Sequence, residues 1–366
     1  MQLLRTWLAA LALASFATAA PVAAALEARD NLTPLAYTAA IPPEIVHEFP
    51  IGTWVENLVI RQRDGNAVAT ILSAPEVYLI STTDGFEPIL LAEFPGNLGV
   101  LGIVELGHDV FYVAVGNWSA KLAEPTPGSW SLWEIDLNGC DVHHGQSPKT
   151  QKIVDLPEAG FLNGMAVLNP TAGTVIVADS LYSGVWRVNV RSGELDVAIN
   201  HTSMAPQPEL ATLALGINAL SIRDGYLYYD NTDSGTFYRM PIDVLTGQSL
   251  GPAEAIVDNK FPDVIFDDFT LDFAGNIFIV SGRGEVALLK DVAAGAAVTA
   301  IDIVAGNVTD LQVTGHTAAK FGTSSADLER GSLYATTSGG ALGYIFGNLT
   351  TGGMLVRYDT AVLGLY

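Results

Sequence analysis

Glu56, Asn163, Asn218 and Asp268 each head an apolar run, in "ENLVI", "NGMAV", "NALSI" and "DFTLD". Carboxylates and amides offer oxygen atoms to hard cations such as Ca²⁺. They also donate or accept hydrogen bonds, and an ionised carboxylate can act as a general base. Asn and Asp are common turn residues as well, because their side chains satisfy nearby backbone groups. Recurrence lifts these four above local turn chemistry. Val100 and Thr317 head two further runs, "VLGIVEL" and "TAAKF", and the six positions recur at a mean spacing of roughly 50 residues.

Each position opens the same two-strand unit: a loop residue, an apolar strand, a turn that usually carries Gly, and a second apolar strand. "NGMAV" is followed by "NPTAGT" and "VIVA", and "NALSI" by "RDG" and "YLYY". Further strand candidates such as "GVWRVNV", "GTFYRMPI" and "EVALLK" lie between the units. Strand repeats of about 40 to 50 residues predict a β-propeller, and six of them predict six four-stranded blades. "PPEIVHEFPIG" near the start and "GMLVRYD" near the end predict a blade shared by both ends of the chain, closing the ring. The expected architecture is therefore all-β: a signal peptide over 1–19, a linker over 20–42 and one propeller over 43–366. In a propeller the six heading residues converge on the mouth of the central channel.

Around that mouth the sequence supplies aromatic residues. Trp118, Tyr182, Tyr229, Phe266 and Phe269 lie just after inner strands or beside the heading residues, and Thr317 joins them as a substrate-binding candidate. Packing between blades is the alternative for each. Of the six histidines only His316, next to Thr317, is placed to face the channel as a proton donor. His47 falls in the closing strand, and His108, His143, His144 and His201 in turns or loops. No nucleophile elbow, phosphate loop, zinc spacing or flavin fingerprint is present.

Composition narrows the partners. The 17 basic and 39 acidic residues give a net charge of -22, which repels phosphate backbones and anionic lipid. Nucleic-acid and membrane-surface partners are therefore not expected. "MQLLRTWLAALALASFATAA" has the charged start, apolar run and small residues of a secretory signal, too short to span a membrane. It places the chain in the secretory pathway, for secretion or a vesicular or vacuolar lumen. Asn31, Asn117, Asn200, Asn307 and Asn348 stand in glycosylation sequons. Cys140 is the single cysteine, so no intramolecular disulfide can form.

"LNGMAV…TVIVADSLYSGVWRV" resembles the repeat of the SMP-30/gluconolactonase/strictosidine-synthase-like six-bladed β-propellers. The resemblance spans residues 43 to 360. "GTWVENLVIR", "PEVYLI", "DDFTLDFAGNIFIV" and "SLYATTSGGALG" are similar to a fungal, secreted branch that includes hetero-Diels–Alderases of secondary metabolism. For lactonases of the family, the resemblance implies a divalent cation held by Glu56, Asn163 and Asn218, the last replacing an aspartate, with Asp268 assisting. For the fungal branch it implies a cycloaddition that joins a quinone methide to a terpene olefin with no required cofactor. Asn163, Asn218 and His316 would then donate hydrogen bonds, with Glu56 and Asp268 assisting when protonated. Three functions follow as expectations: pocket-templated cycloaddition of hydrophobic, oxygenated small molecules; Ca²⁺-dependent lactone or ester hydrolysis; and binding of such molecules without catalysis.

Overall fold

The computed structural model describes residues 36–366 apart from 84, 120–123, 208–213, 258–263, 291, 293–300, 307–311, 341–348, 350 and 366. The signal-peptide stretch and Asn31, Asn307 and Asn348 lie outside the described residues. Among those described, no helix is long and apolar enough to cross a membrane.

Six antiparallel sheets form a ring, and each is one blade of a β-propeller. The innermost strands are Val55–Ile60, Gly99–Glu105, Leu162–Asn169, Ile217–Arg223, Phe266–Leu271 and His316–Phe321, in blades 1 to 6. Blade 6 draws three strands from the C-terminal end and its outermost, Glu44–Ile51, from the N-terminal end, as the sequence predicts. Ala36–Ile41, within the expected linker, forms a strand that adds in parallel to Asp302–Ala305 at the edge of blade 5.

The strands alternate as their composition demands. Branched and aromatic side chains such as Val177, Leu227, Ile279 and Leu333 are fully buried between neighbouring blades. Inner strands approach closely around the channel. A Cβ on Gly102 would stand 2.2 Å from the Asn163 carbonyl oxygen, and one on Gly164 would stand 2.9 Å from that of Asn218. Glycine is therefore required at both contacts.

Every inner strand carries a β-bulge just past its start. Val55, Val100, Leu162, Ile217, Phe266 and His316 pair directly across, and Leu58, Ile103, Met165, Leu220, Phe269 and Ala319 do so again. In each case two residues oppose one partner between these points, which re-aims the side chains there. The described residues that lead into the inner strands, together with the hairpins beside them, border this bulged end, the mouth.

Candidate functional site

The bulges set the ring of equivalent positions: Glu56, Leu101, Asn163, Asn218, Asp267 and Thr317. Two expected members shift by one residue. Val100 is fully buried in the blade core, and Leu101 takes its place. Asp267 takes the place given to Asp268, which becomes the second residue of its bulge. The extra residue breaks the period-two count on which the sequence reading relied.

Asn163 and Asn218 share one anchoring device. Ser180 Oγ donates across to the Ile217 carbonyl at 2.6 Å, so it has only a lone pair left for Asn163 Nδ2 at 3.2 Å. Thr232 Oγ1 likewise donates to the Phe266 carbonyl at 2.9 Å and accepts from Asn218 Nδ2 at 2.9 Å. Both amide nitrogens are thereby engaged, that of Asn218 also by Asp267 at 3.0 Å, which leaves the two amide oxygens as acceptors. This reverses their expected role as donors. Thr317 spends its hydroxyl on the Val55 carbonyl, at 2.7 Å, stitching blade 6 to blade 1.

The buried carboxyl groups of the hub are shifted toward their protonated forms. Glu56 is 6% exposed, and one of its oxygens accepts the indole N–H of Trp54. Burial pushes its carboxyl up to about 7, against the lowering effect of the Trp54 bond and with a further rise from Asp268. Asp267 accepts Asn218 Nδ2 at 3.0 Å and is raised well above the usual carboxylate range by burial and then by Glu56, Asp230 and Asp268. Asp230, fully buried behind Ala219, is raised by burial first and by Asp268 as well. An acid kept neutral near pH 7 can donate a hydrogen bond.

Asp268 sits in a different arrangement. Its carboxylate accepts Lys320 Nζ at 3.0 Å, Asn57 Nδ2 at 3.4 Å and its neighbour's amide, Phe269 N, at 2.6 Å. Asn57, Asp268 and Lys320 come from blades 1, 5 and 6, so the triad ties three consecutive blades of the ring together. Lys320 was not among the expected residues. A charged residue in the middle of an inner strand was the only signal for it.

Beside Glu56, Trp54 belongs to a buried aromatic cluster in which Trp118 and Phe161 are 7% and 4% exposed. Trp118 stacks on Phe161 with centroids 5.5 Å apart and planes at 15°, and meets Trp54 edge-on at 6.5 Å. Trp54 and Phe161 precede the inner strands of blades 1 and 3, positions the sequence reading passed over. Tyr182 lies on a mouth hairpin and is half exposed. Three other expected contacts are packing instead. Phe266 and Phe269 belong to the core beside blade 5, and Tyr229 is buried with its hydroxyl 2.5 Å from Ser203 Oγ. His316 is fully buried and its Nε2 lies 2.8 Å from the Tyr358 hydroxyl, so it does not face the channel. It cannot be the expected donor.

Among the described residues, no group of three or more His, Cys, Asp or Glu side chains is arranged to hold a metal ion. Any cation at the hub would have to use the amide oxygens. Of the described sequon residues, Asn200 is exposed and Asn117 is partly buried. Cys140 is partly buried, with Sγ 3.4 Å from the Gln146 carbonyl oxygen.

The fold is that of the regucalcin-type propellers. Regucalcin from Agrobacterium tumefaciens, described as a calcium-binding protein, aligns with a TM-score of 0.58 at 16% identity, over 88% of this chain and 95% of its own. No family model matches the chain. Two curated relatives carry one name. A protein of Phoma sp named "Putative hetero-Diels-Alderase" is 26% identical over 330 residues, which is 83% of this chain and 89% of that protein. A protein of Sarocladium schorii with the same designation is 23% identical over 258 residues, 63% of this chain and 61% of its own length. The resemblance read from the repeats is met on both counts, in fold and in relatives.

Proposed function

We propose that the mouth templates an intermolecular hetero-Diels–Alder cycloaddition, such as that of a quinone methide with a terpene olefin. The observation that carries it is the buried Glu56 carboxyl held by Trp54, which in turn meets the Trp118–Phe161 stack edge-on. The names of the two relatives point the same way.

The reaction forms one C–C and one C–O bond from four π electrons of the heterodiene and two of the olefin. No atom, proton or electron is exchanged with the protein. What the protein supplies is a near-attack pose and hydrogen bonds to the oxygen that gains electron density. Neutral Glu56 donates to that oxygen, assisted by Asp267. The amide oxygens of Asn163 and Asn218 accept from substrate hydroxyl groups. Trp118 and Phe161 pack the olefin, and Tyr182 borders the entrance. The substrates are hydrophobic, oxygenated small molecules. We further read the chain as a glycoprotein of the secretory pathway, on the strength of its N-terminal segment and sequons.

A second reading rests on the amide oxygens. Glu56, Asn163, Asn218 and Asp267 offer two carboxyls and two amides, a donor set that suits a hard cation such as Ca²⁺. Bound there, the ion would polarise a lactone or ester carbonyl. Incubating purified protein with a quinone methide precursor and an olefin, with and without a chelator, tests both. Faster and stereoselective adduct formation in the chelator supports the cycloaddition. Chelator-sensitive ester hydrolysis without adduct formation supports the second reading instead.

A further inference from the structure

We propose that the propeller carries a second small-molecule site on the face opposite the mouth, a cleft of about 340 Å³ that takes a neutral ring-bearing alcohol. It is built where the far ends of the inner strands of blades 4, 5 and 6 meet the helix Ser325–Arg330. Its volume falls at the small end of the range for ligand pockets, roughly 300–1,000 Å³. The triad of Asn57, Asp268 and Lys320 lies between this cleft and the hub, because Asp268 precedes Thr270 and Lys320 precedes Phe321 toward the mouth. None of the hub residues lines the cleft.

The charge of the ligand follows from how the lining spends its own charges. Arg223 donates to the carbonyls of Asp272 and Phe273 at 2.5 and 2.7 Å and faces Asp224 at 3.4 Å. The Asp272 carboxylate is taken by the amide and side chain of Asn276, at 2.9 and 2.7 Å. Asp327 is occupied by Ser324 and by the Tyr334 hydroxyl. Each charged side chain of the lining is already engaged by neighbouring groups, and the rest of the lining is uncharged, which favours a neutral ligand.

Its shape follows from what remains. The hydroxyls of Ser221 and Thr270 lie on adjacent inner strands and make no hydrogen bond among the described residues. They suit one polar group of a ligand, as donor or acceptor. Beside them Ile222, Leu271 and Phe321 give an apolar wall. At the lip Phe273 is 81% exposed and Leu328 53% exposed. Phe273 rides on a turn held by Arg223 and Asn276, and Leu328 on a helix with a full capping box at Ser324 and Asp327. Rigid elements that hold large apolar side chains in water are suited to covering a ring.

Titration of the full-length protein with 1-naphthol, followed by NMR or calorimetry, tests this. Saturable binding is expected, weakened about tenfold by Ser221→Phe, which fills the cleft, and by Phe273→Ser, an exposed change that leaves the core intact. Trp118→Ala at the mouth should leave this binding within twofold. Absence of saturable binding overturns the proposal, as does binding that survives Phe273→Ser or is abolished by Trp118→Ala. The site stands or falls independently of any cycloaddition at the mouth.

Discussion

Glu56→Gln should change how stability depends on pH, and the size of the effect follows from the hub. In the unfolded chain the Glu56 carboxyl titrates near 4.5, and in the fold it is raised to about 7. The folded state then holds a proton that the unfolded state has released between those values. Stability must fall as pH rises through that window and level off above it. A rise from 4.5 to about 7, at 1.36 kcal/mol per pH step, corresponds to about 3 kcal/mol. Glutamine keeps an oxygen for the Trp54 indole but cannot ionise, so it lacks this term. Asp230 and Asp267 act in the same direction in both proteins, Asp267 less strongly in the variant because Glu56 contributes to its rise. Urea unfolding of both proteins at several pH values from 4.5 to 8, in a chelator, reads the difference directly. The gap between the two stability curves should widen toward alkaline pH by about 3 kcal/mol. Parallel curves would refute the neutral-acid account of Glu56. Abolition of the gap by calcium would instead mean that the ionised carboxylate has found a cation.

Other consequences are as direct. Lys320→Met leaves the buried Asp268 without its cation, and urea unfolding should show a loss of about 1–3 kcal/mol. Asp109, whose carboxylate accepts Arg61 Nε at 2.6 Å and Arg63 at 3.0 Å, holds blades 1 and 2 together. Asp109→Ala should cost about 1–3 kcal/mol by the same measurement, because buried Arg61 loses one of its two carboxylate partners and keeps Asp64. Thr232→Val removes both the bridge to the Phe266 carbonyl and the anchor of Asn218, and a drop of about 1–3 kcal/mol in unfolding free energy is expected. Asn218→Asp adds a third carboxyl to the set of Glu56, Asn163, Asn218 and Asp267, and calcium should then raise the melting temperature more than it does in the wild type.

Much of the fold was legible because a propeller repeats. Six apolar units with turns between them, and strand patterns at both ends, suffice to specify six blades and their closure. The site was legible only in part. Glu56, Asn163 and Asn218 kept their places because each directly follows the paired first residue of its strand. Val100 and Asp268 missed by one because a bulge adds a residue that no local pattern announces. The orientation of the two amides depends on Ser180 and Thr232, which lie in the second strands and donate to the next blade. His316 neighbours Thr317 in sequence yet turns to Tyr358, forty-two residues away. Such partners are set by blade packing, which a strand pattern does not encode.

The central claim is that the hub and its aromatic cluster template a cycloaddition through a neutral Glu56. The measurement that tests it most directly is the rate and stereochemistry of a quinone methide–olefin reaction with wild-type protein and with Glu56→Ala. Wild-type protein should accelerate one stereoisomer in a chelator, with the acceleration falling as pH rises through about 7 and largely lost in Glu56→Ala. An unchanged rate and isomer ratio with the wild type, or full activity in Glu56→Ala, would contradict it.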